Sequence, residues 1–262
     1  LEFDFNAYTL KSVKTPRGTS NLIEIPNCTR TKIKGAPDLP KISQSVVIPD
    51  YAEMKIEVIK SRYIEIKDVD IAPSKGVMTR DKKTSEYPYV YGTEYSQDKF
   101  FPNNIASARD PFIIRNVRGQ SIVVNPVQYN PVTKVARIYT DIVVDIVNTG
   151  KTGINTLQSK STVENNANFH SVLNNHFINY NPSSSKYTPI SEGGNKMLIV
   201  SYSSFMDEMQ SFVNWKESIG YEVTMVDYST IGSASALKTY VQNQYDQNGI
   251  SYLLLVGDHG QV

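Results

Sequence analysis

One cysteine and three histidines are the residues with which this chain of 262 could attempt nucleophilic chemistry. A thiol attacks only as its thiolate, so a hydrolase built on Cys28 would need an imidazole held against it. Cys28 stands between Asn27 and Thr29 in a β-rich region, far in sequence from every histidine. In that setting it reads as a small packed side chain. Being the only thiol, it excludes an internal disulfide and a cysteine-based zinc cluster. His170 and His176 have no motif around them and read as surface or packing residues. Asp258 and His259 are better placed, in a Gly-Asp-His-Gly turn that follows the apolar run Ser251–Val256. The serines of Ser201–Ser204 could cradle a phosphate at a helix N-terminus. No glycine-rich fingerprint accompanies them, and helix capping explains them more simply.

The elements that would position Asp258 and His259 fill the last quarter of the chain. Lys196–Ser201 is a continuous apolar run, the pattern of a short strand covered on both faces. Ser203 or Ser204 is placed to cap a helix with Asp207 and Glu208 in its first turn. Phe205, Met209, Phe212, Val213 and Lys216 recur at helical spacing, and Gly220 ends the helix. Tyr221–Val226 predicts a second strand. Ser233 or Ser235 caps a second helix, whose apolar face is Leu237, Tyr240, Val241 and Tyr245 and which Gly249 closes. Ser251–Val256 then predicts a third, fully buried strand. Strands alternating with such helices imply right-handed crossovers and a parallel sheet, and ligands gather at the carboxyl ends of such strands. Asp258 and His259 lie at one of those ends, the expected neighbourhood of an active site.

Residues 1 to about 150 read differently. Leu22–Ile25, Gln44–Ile48, Met54–Ser61, Tyr63–Ile66, Phe112–Arg115, Ser121–Val124, Ala136–Tyr139 and Ile142–Val147 are short β-rich runs, several alternating apolar with charged residues. Asn130-Pro131 marks a hairpin turn. Such spacing predicts an antiparallel, sandwich-like architecture. Ala72–Asp110 interrupts it with a long polar and aromatic passage, whose Tyr87, Tyr89, Tyr91, Tyr95, Phe100 and Phe101 should pack on something. Residues 151–186 read as a linker with a short helix from about Glu164 to Asn174, ending in the flexible run Asn181–Lys186.

The composition narrows the classes further. Charges nearly balance at a formal +1, so nothing calls for nucleic acid or a membrane surface. No run approaches the ~18 apolar residues of a membrane span. Seventeen tyrosines against one tryptophan suit two-faced β surfaces. They also leave open a second reading, a secreted β-sandwich adhesion or carbohydrate-binding module joined to a small α/β domain without peptidase activity.

Four stretches of the last quarter carry a resemblance: YTPI at Tyr187–Ile190, KMLIVSYSSF, FVNWKESIGYEV, and YLLLVGDHG at Tyr252–Gly260. Together they resemble the start of the catalytic domain of the gingipain family, secreted cysteine endopeptidases with a caspase-like fold. GAPDLPKISQSVVIP (Gly35–Pro49) and VNPVQYNPVTKVARIYTDI (Val124–Ile142) resemble that family's amino-terminal prodomain. The resemblance implies a mixed fold: an all-β, antiparallel prodomain at 1–150, a linker with a processing site at 151–186, and at 187–262 the first β-α-β-α-β part of a caspase-like domain. It implies an inhibitory prodomain that places a basic side chain in its own enzyme's specificity pocket. Among Arg80, Lys82, Lys83, Lys99 and Arg109, the favoured candidates are Lys99, flanked by aromatics, and Arg109, just before Asp110-Pro111. Processing is expected at Lys186-Tyr187, where the prodomain meets YTPI. The family's catalytic histidine and cysteine lie on later strands than any here, so no catalytic residue is assigned and the partner is the remainder of the catalytic domain, with protein or peptide substrates. Calcium enters only through the resemblance, since no ligand cluster with calcium spacing is visible. The expected location is secreted or cell-surface, with any export signal already removed.

Overall fold

The structure is a computed structural model that describes residues 1–158, 167–181 and 195–262. The chain divides into two compact units, Leu1–Gln158 with His176–Tyr180, and Ser159–Asn175 with Asn181–Val262.

The first unit is built from β1 (Glu2–Asp4), β2 (Thr9–Thr15), β3 (Gly18–Glu24), β4 (Thr29–Arg30), β5 (Pro40–Val47), β6 (Ala52–Ile66), β7 (Ala106–Ala108), β8 (Phe112–Ile114), β9 (Val117–Val124), β10 (Val127–Asn130) and β11 (Val135–Thr152). One sheet has the order β1-β11-β10, with β6 on the other edge of β11. A second has the order β4-β5-β9-β7, with β8 also on β9, and β2-β3 form a separate hairpin. All these pairings are antiparallel. Val46, Ile122 and Val124 of one large sheet share a buried cluster with Val127, Tyr129, Ala136, Ile138, Ile142 and Val144 of the other. Two sheets closing over one core make the sandwich.

The alternating runs are longer than the sequence pattern indicates. Met54–Ser61 and Tyr63–Ile66 are one strand, and so are Ala136–Tyr139 and Ile142–Val147. Register shifts between Tyr139 and Asp141 and between Val143 and Val144 break the alternation without breaking the pairing. The passage after Ala72 packs as expected. Tyr95 donates its hydroxyl to the Ile71 carbonyl at 2.7 Å, Tyr91 lies edge-on to Tyr95, and the Arg17 guanidinium sits 3.9 Å from the Tyr91 ring centre. Phe101 and Tyr129 exchange both backbone hydrogen bonds, at 2.9 and 2.7 Å.

In the second unit α1 (Ala167–His176) is followed by β12 (Lys196–Ser201), α2 (Met206–Ser218), β13 (Glu222–Asp227), α3 (Ala234–Asn248) and β14 (Tyr252–Val256). The helix placed at Glu164–Asn174 is therefore present, shifted toward the carboxyl side; residues 164–166 lie outside the described residues. The sheet is parallel throughout, in the order β13-β12-β14. Met197 and Ile199 of β12 pack with Val213 and Phe212 of α2, while Leu198 and Val200 pack with Leu237 and Tyr240 of α3. Helices on both faces explain why β12 is apolar without alternation.

Two local expectations are corrected. Ser203 and Ser204 do not cap α2; they belong to a 3-10 turn, and Phe205 stands at the cap without a side-chain hydrogen bond. Ser203 instead donates to the Asp227 carboxylate at 2.8 Å. Ser233 caps α3 by accepting from Ala236 N, and Gly249 closes it at φ +65°. Nor is β14 fully buried. Tyr252, Leu254 and Val256 pack on the α2 side, but Leu253 and Leu255 are 44% and 47% exposed because α3 covers β12 and not this strand.

Candidate functional site

The carboxyl end of the parallel sheet gathers polar groups from all three strands. Asp227, ending β13, accepts from Ser229 N at 2.8 Å and from Ser203 Oγ at 2.8 Å, which holds its carboxyl below the usual carboxylate range. Tyr202, just past β12, donates its N–H to the Val256 carbonyl at 2.8 Å. Past β14, Asp258 Oδ1 accepts from His259 N at 2.7 Å, with His259 Nδ1 3.1 Å away. The hydrogen bond from the His259 side chain is the main reason the Asp258 carboxyl titrates low. Both side chains are exposed, at 81% and 96%. The connections after β12 and before β14 pass over opposite faces of the sheet, so Asp258 and His259 sit at the switch point between neighbouring strands.

Among the described residues this arrangement holds no thiol. Cys28 belongs to the first unit, packs half-buried against its core, and has its thiol pushed up to about 11 by burial. An activated cysteine needs the opposite shift. His176 lies edge-on to Phe112 and Phe177, so it serves as a packing residue. Among the described residues no group of three or more His, Cys, Asp or Glu side chains could hold a metal ion. Among them, too, no helix is long and apolar enough to cross a membrane.

Lys99 and Arg109 both stand exposed on the first unit. Lys99 is carried by a turn in which its N–H reaches Gln97 O, beside Phe100, whose ring holds the Arg137 guanidinium at 3.8 Å. Arg109 is fixed more firmly: its N–H donates to Ser121 O at 2.9 Å and its carbonyl accepts from Gln120 Nε2 at 2.8 Å. Lys186 and Tyr187 lie outside the described residues.

Sequence reasoning missed a clasp just upstream of them. Asn179 accepts from Val47 N at 2.7 Å and donates to Val47 O at 3.0 Å, using its amide as a strand would use its backbone. Ile178 N reaches Ser45 O, and the Phe177 side chain, 2% exposed, lies over Gly119. Composition offers no signal for this, since Phe-Ile-Asn within an Asn-rich passage reads as linker.

Two family descriptions follow each other along the chain. Residues 1–187 match Propeptide_C25, and residues 190–262 match peptidase family C25. The chain belongs to peptidase family C25. It contains the propeptide of a C25 enzyme and the opening of its catalytic domain. Gingipain R1 of Porphyromonas gingivalis is 39% identical over 268 residues, covering 100% of this chain and 26% of that protein. Gingipain R2 of P. gingivalis strain W83 is 38% identical over 270 residues, covering 100% of this chain and 36% of that protein. The chain thus spans about a quarter to a third of these two C25 relatives. Among solved structures, the complex of P. gingivalis RgpB pro- and mature domains matches with a TM-score of 0.63 and 41% identity, over 69% of this chain and 91% of that one.

Proposed function

We propose that residues 1–186 keep a gingipain-like cysteine endopeptidase latent until the chain is cut at Lys186-Tyr187. One observation carries this reading: a propeptide and the start of its peptidase follow each other in one polypeptide, and among the described residues no thiol meets an imidazole. The cutting groups would belong to further catalytic-domain residues, whose strands would continue the sheet on the edge of β14 that faces away from β12. That remainder is the partner of the sandwich unit, as pro- and mature domains partner in the RgpB complex.

Latency would come from a basic side chain of the sandwich entering an acidic specificity pocket, where a charge-assisted pair is strong once water is excluded. Arg109 suits the role better than Lys99, because both backbone polar groups beside it are fixed by β9 and less ordering is lost on docking. The substrates would be proteins or peptides, with basic residues accepted before the cut. The working enzyme would be secreted or held at the cell surface, any calcium bound by residues outside those described.

Purified 1–186 should inhibit the matching mature enzyme when added in trans, and Arg109→Ala should weaken it at least tenfold. A leader without effect on that enzyme would rule the reading out. Limited trypsin digestion should cut first near Lys186; survival of that bond while the sandwich is degraded would contradict the boundary.

A further inference from the structure

Arg17 stands at the tip of the β2–β3 hairpin, its guanidinium 3.9 Å from the centre of the Tyr91 ring and 5.8 Å from that of Tyr95. Among the described residues no carboxylate pairs with it. Beside it lies a cavity of about 290 Å³, walled by that hairpin, by the passage between β6 and β7, and by β10 with the turn after it. We propose that this cavity binds a sugar acid, a ring bearing hydroxyls and one carboxylate, taken free or as the end unit of an acidic glycan. The site belongs wholly to the sandwich unit and does not depend on where the chain is cut.

The walls are held in place. Thr15 Oγ1 donates to Gly18 O at 3.0 Å and accepts from Arg17 N at 3.3 Å, and Gly18 turns the chain at φ +109°. Asn21 N reaches Asp70 O at 2.7 Å, which ties the hairpin to the facing passage. The Tyr91 hydroxyl lies 2.8 Å from Thr15 Oγ1 and 3.5 Å from Ser20 Oγ, a buried hydroxyl that also lines the cavity. Tyr95 donates to Ile71 O, which leaves its oxygen lone pairs as acceptors. Tyr129 stands behind them, buried. Burial pushes its phenol up to about 12 and raises that of Tyr95 as well. Both are uncharged at neutral pH and do not repel an anion.

The charges leave one demand unmet. Lys134 Nζ donates to Asp70 Oδ2 at 3.1 Å, so those two side chains answer each other and the guanidinium remains over. Its planar fork matches a carboxylate through two parallel hydrogen bonds. The hydroxyls of Ser20, Tyr91 and Tyr95 suit ring hydroxyls, whereas an alkyl or phenyl ligand would leave them unanswered. The volume falls at the lower end of small-molecule sites, which run from about 300 to 1,000 Å³, so it takes one ring. Tyrosines needed only for packing would have closed this space, because protein interiors are filled nearly as densely as organic crystals.

The test titrates the whole chain calorimetrically with glucuronate, glucose and glutamate. Glucuronate should saturate, and glucose and glutamate should bind at least tenfold more weakly. Arg17→Ala should weaken glucuronate at least tenfold while leaving the melting temperature unchanged, and Arg17→Lys should recover only part of the loss. Arg109→Ala, outside the cavity, should bind as the wild type does. Methyl glucuronide, blocked at the carbon through which a glycan would continue, separates the sources. Binding equal to that of glucuronate assigns the site to a chain end, and binding of glucuronate alone assigns it to the free acid. Failure of glucuronate to saturate, glucose or glutamate binding as tightly, or an Arg17→Ala protein that binds like wild type would each overturn the proposal.

Discussion

A methyl group placed on Gly119 would lie 2.1 Å from Cε1 of Phe177. The glycine is therefore the floor of the slot in which the propeptide's last described segment is clasped, and Phe112 stacks on the ring from one side at 5.8 Å. Gly119→Ala must push Phe177 out or shift β9. Overpacking of this kind costs about 1–3 kcal/mol. Urea denaturation of 1–186 should show that loss, and hydrogen exchange should rise at Ile178, whose N–H is bonded to Ser45 O.

Arg118, the neighbour of that glycine, is fully buried, and its guanidinium donates to four carbonyls, those of Pro49, Ala52, Ile154 and Asn155, at 2.6 to 2.9 Å. Burial disfavours its charge, and the Asp50 carboxylate works against that penalty. The side chain ties the segment before β6 to the segment after β11. Arg118→Met would leave those acceptors without a donor and should destabilise the sandwich by about 3 kcal/mol or more. Arg118→Lys should recover only part, since an ammonium cannot reproduce the planar fork. Denaturation midpoints of the two variants decide it.

Acid should loosen the long β6–β11 pair. Asp141 accepts from Arg62 Nε and from Thr140 Oγ1, and the Arg62 hydrogen bond is the chief reason its carboxyl titrates below the ordinary range. A carboxyl with a depressed folded value adds stability that is complete above the unfolded value, about 3.9, and lost as pH falls through the folded value. Thermal melts of wild type and Asp141→Asn should therefore differ at pH 6 and converge as pH falls below about 4.

Cys28 should behave as an inert thiol. Burial pushes it up to about 11, so at pH 8 its thiolate is a few hundredfold scarcer than that of an unperturbed cysteine near about 8.5. Alkylation by iodoacetamide at pH 8 should be slow in the native chain and fast after denaturation. Cys28→Ser should leave the inhibition of the mature enzyme by 1–186 unchanged.

The alternation of β6 and the unbroken apolar run of β12 could be read in one dimension, because each depends only on which faces of a strand meet protein. The lone cysteine and the Asp258–His259 turn were equally legible. The joining of two short runs into β11 was not, because a bulge shifts the apolar phase while cross-strand hydrogen bonds carry on. Ser203 shows the limit for local polar signals: it looks like a cap, yet Asp227, 24 residues away, takes its hydroxyl.

Sequence by itself thus determined the order of the architecture, β-rich first and α/β after, and the family that this order resembles. Local side-chain periodicity and short ordered stretches are stored along the chain, so they survive being read without coordinates. Only the tertiary structure decided what becomes of the passage between them. Asn168 finding Tyr252 and Asn179 finding Val47 are pairings across 84 and 132 residues. An asparagine carries no mark of such a partner, because its amide bonds equally well to water until folding brings the partner within reach.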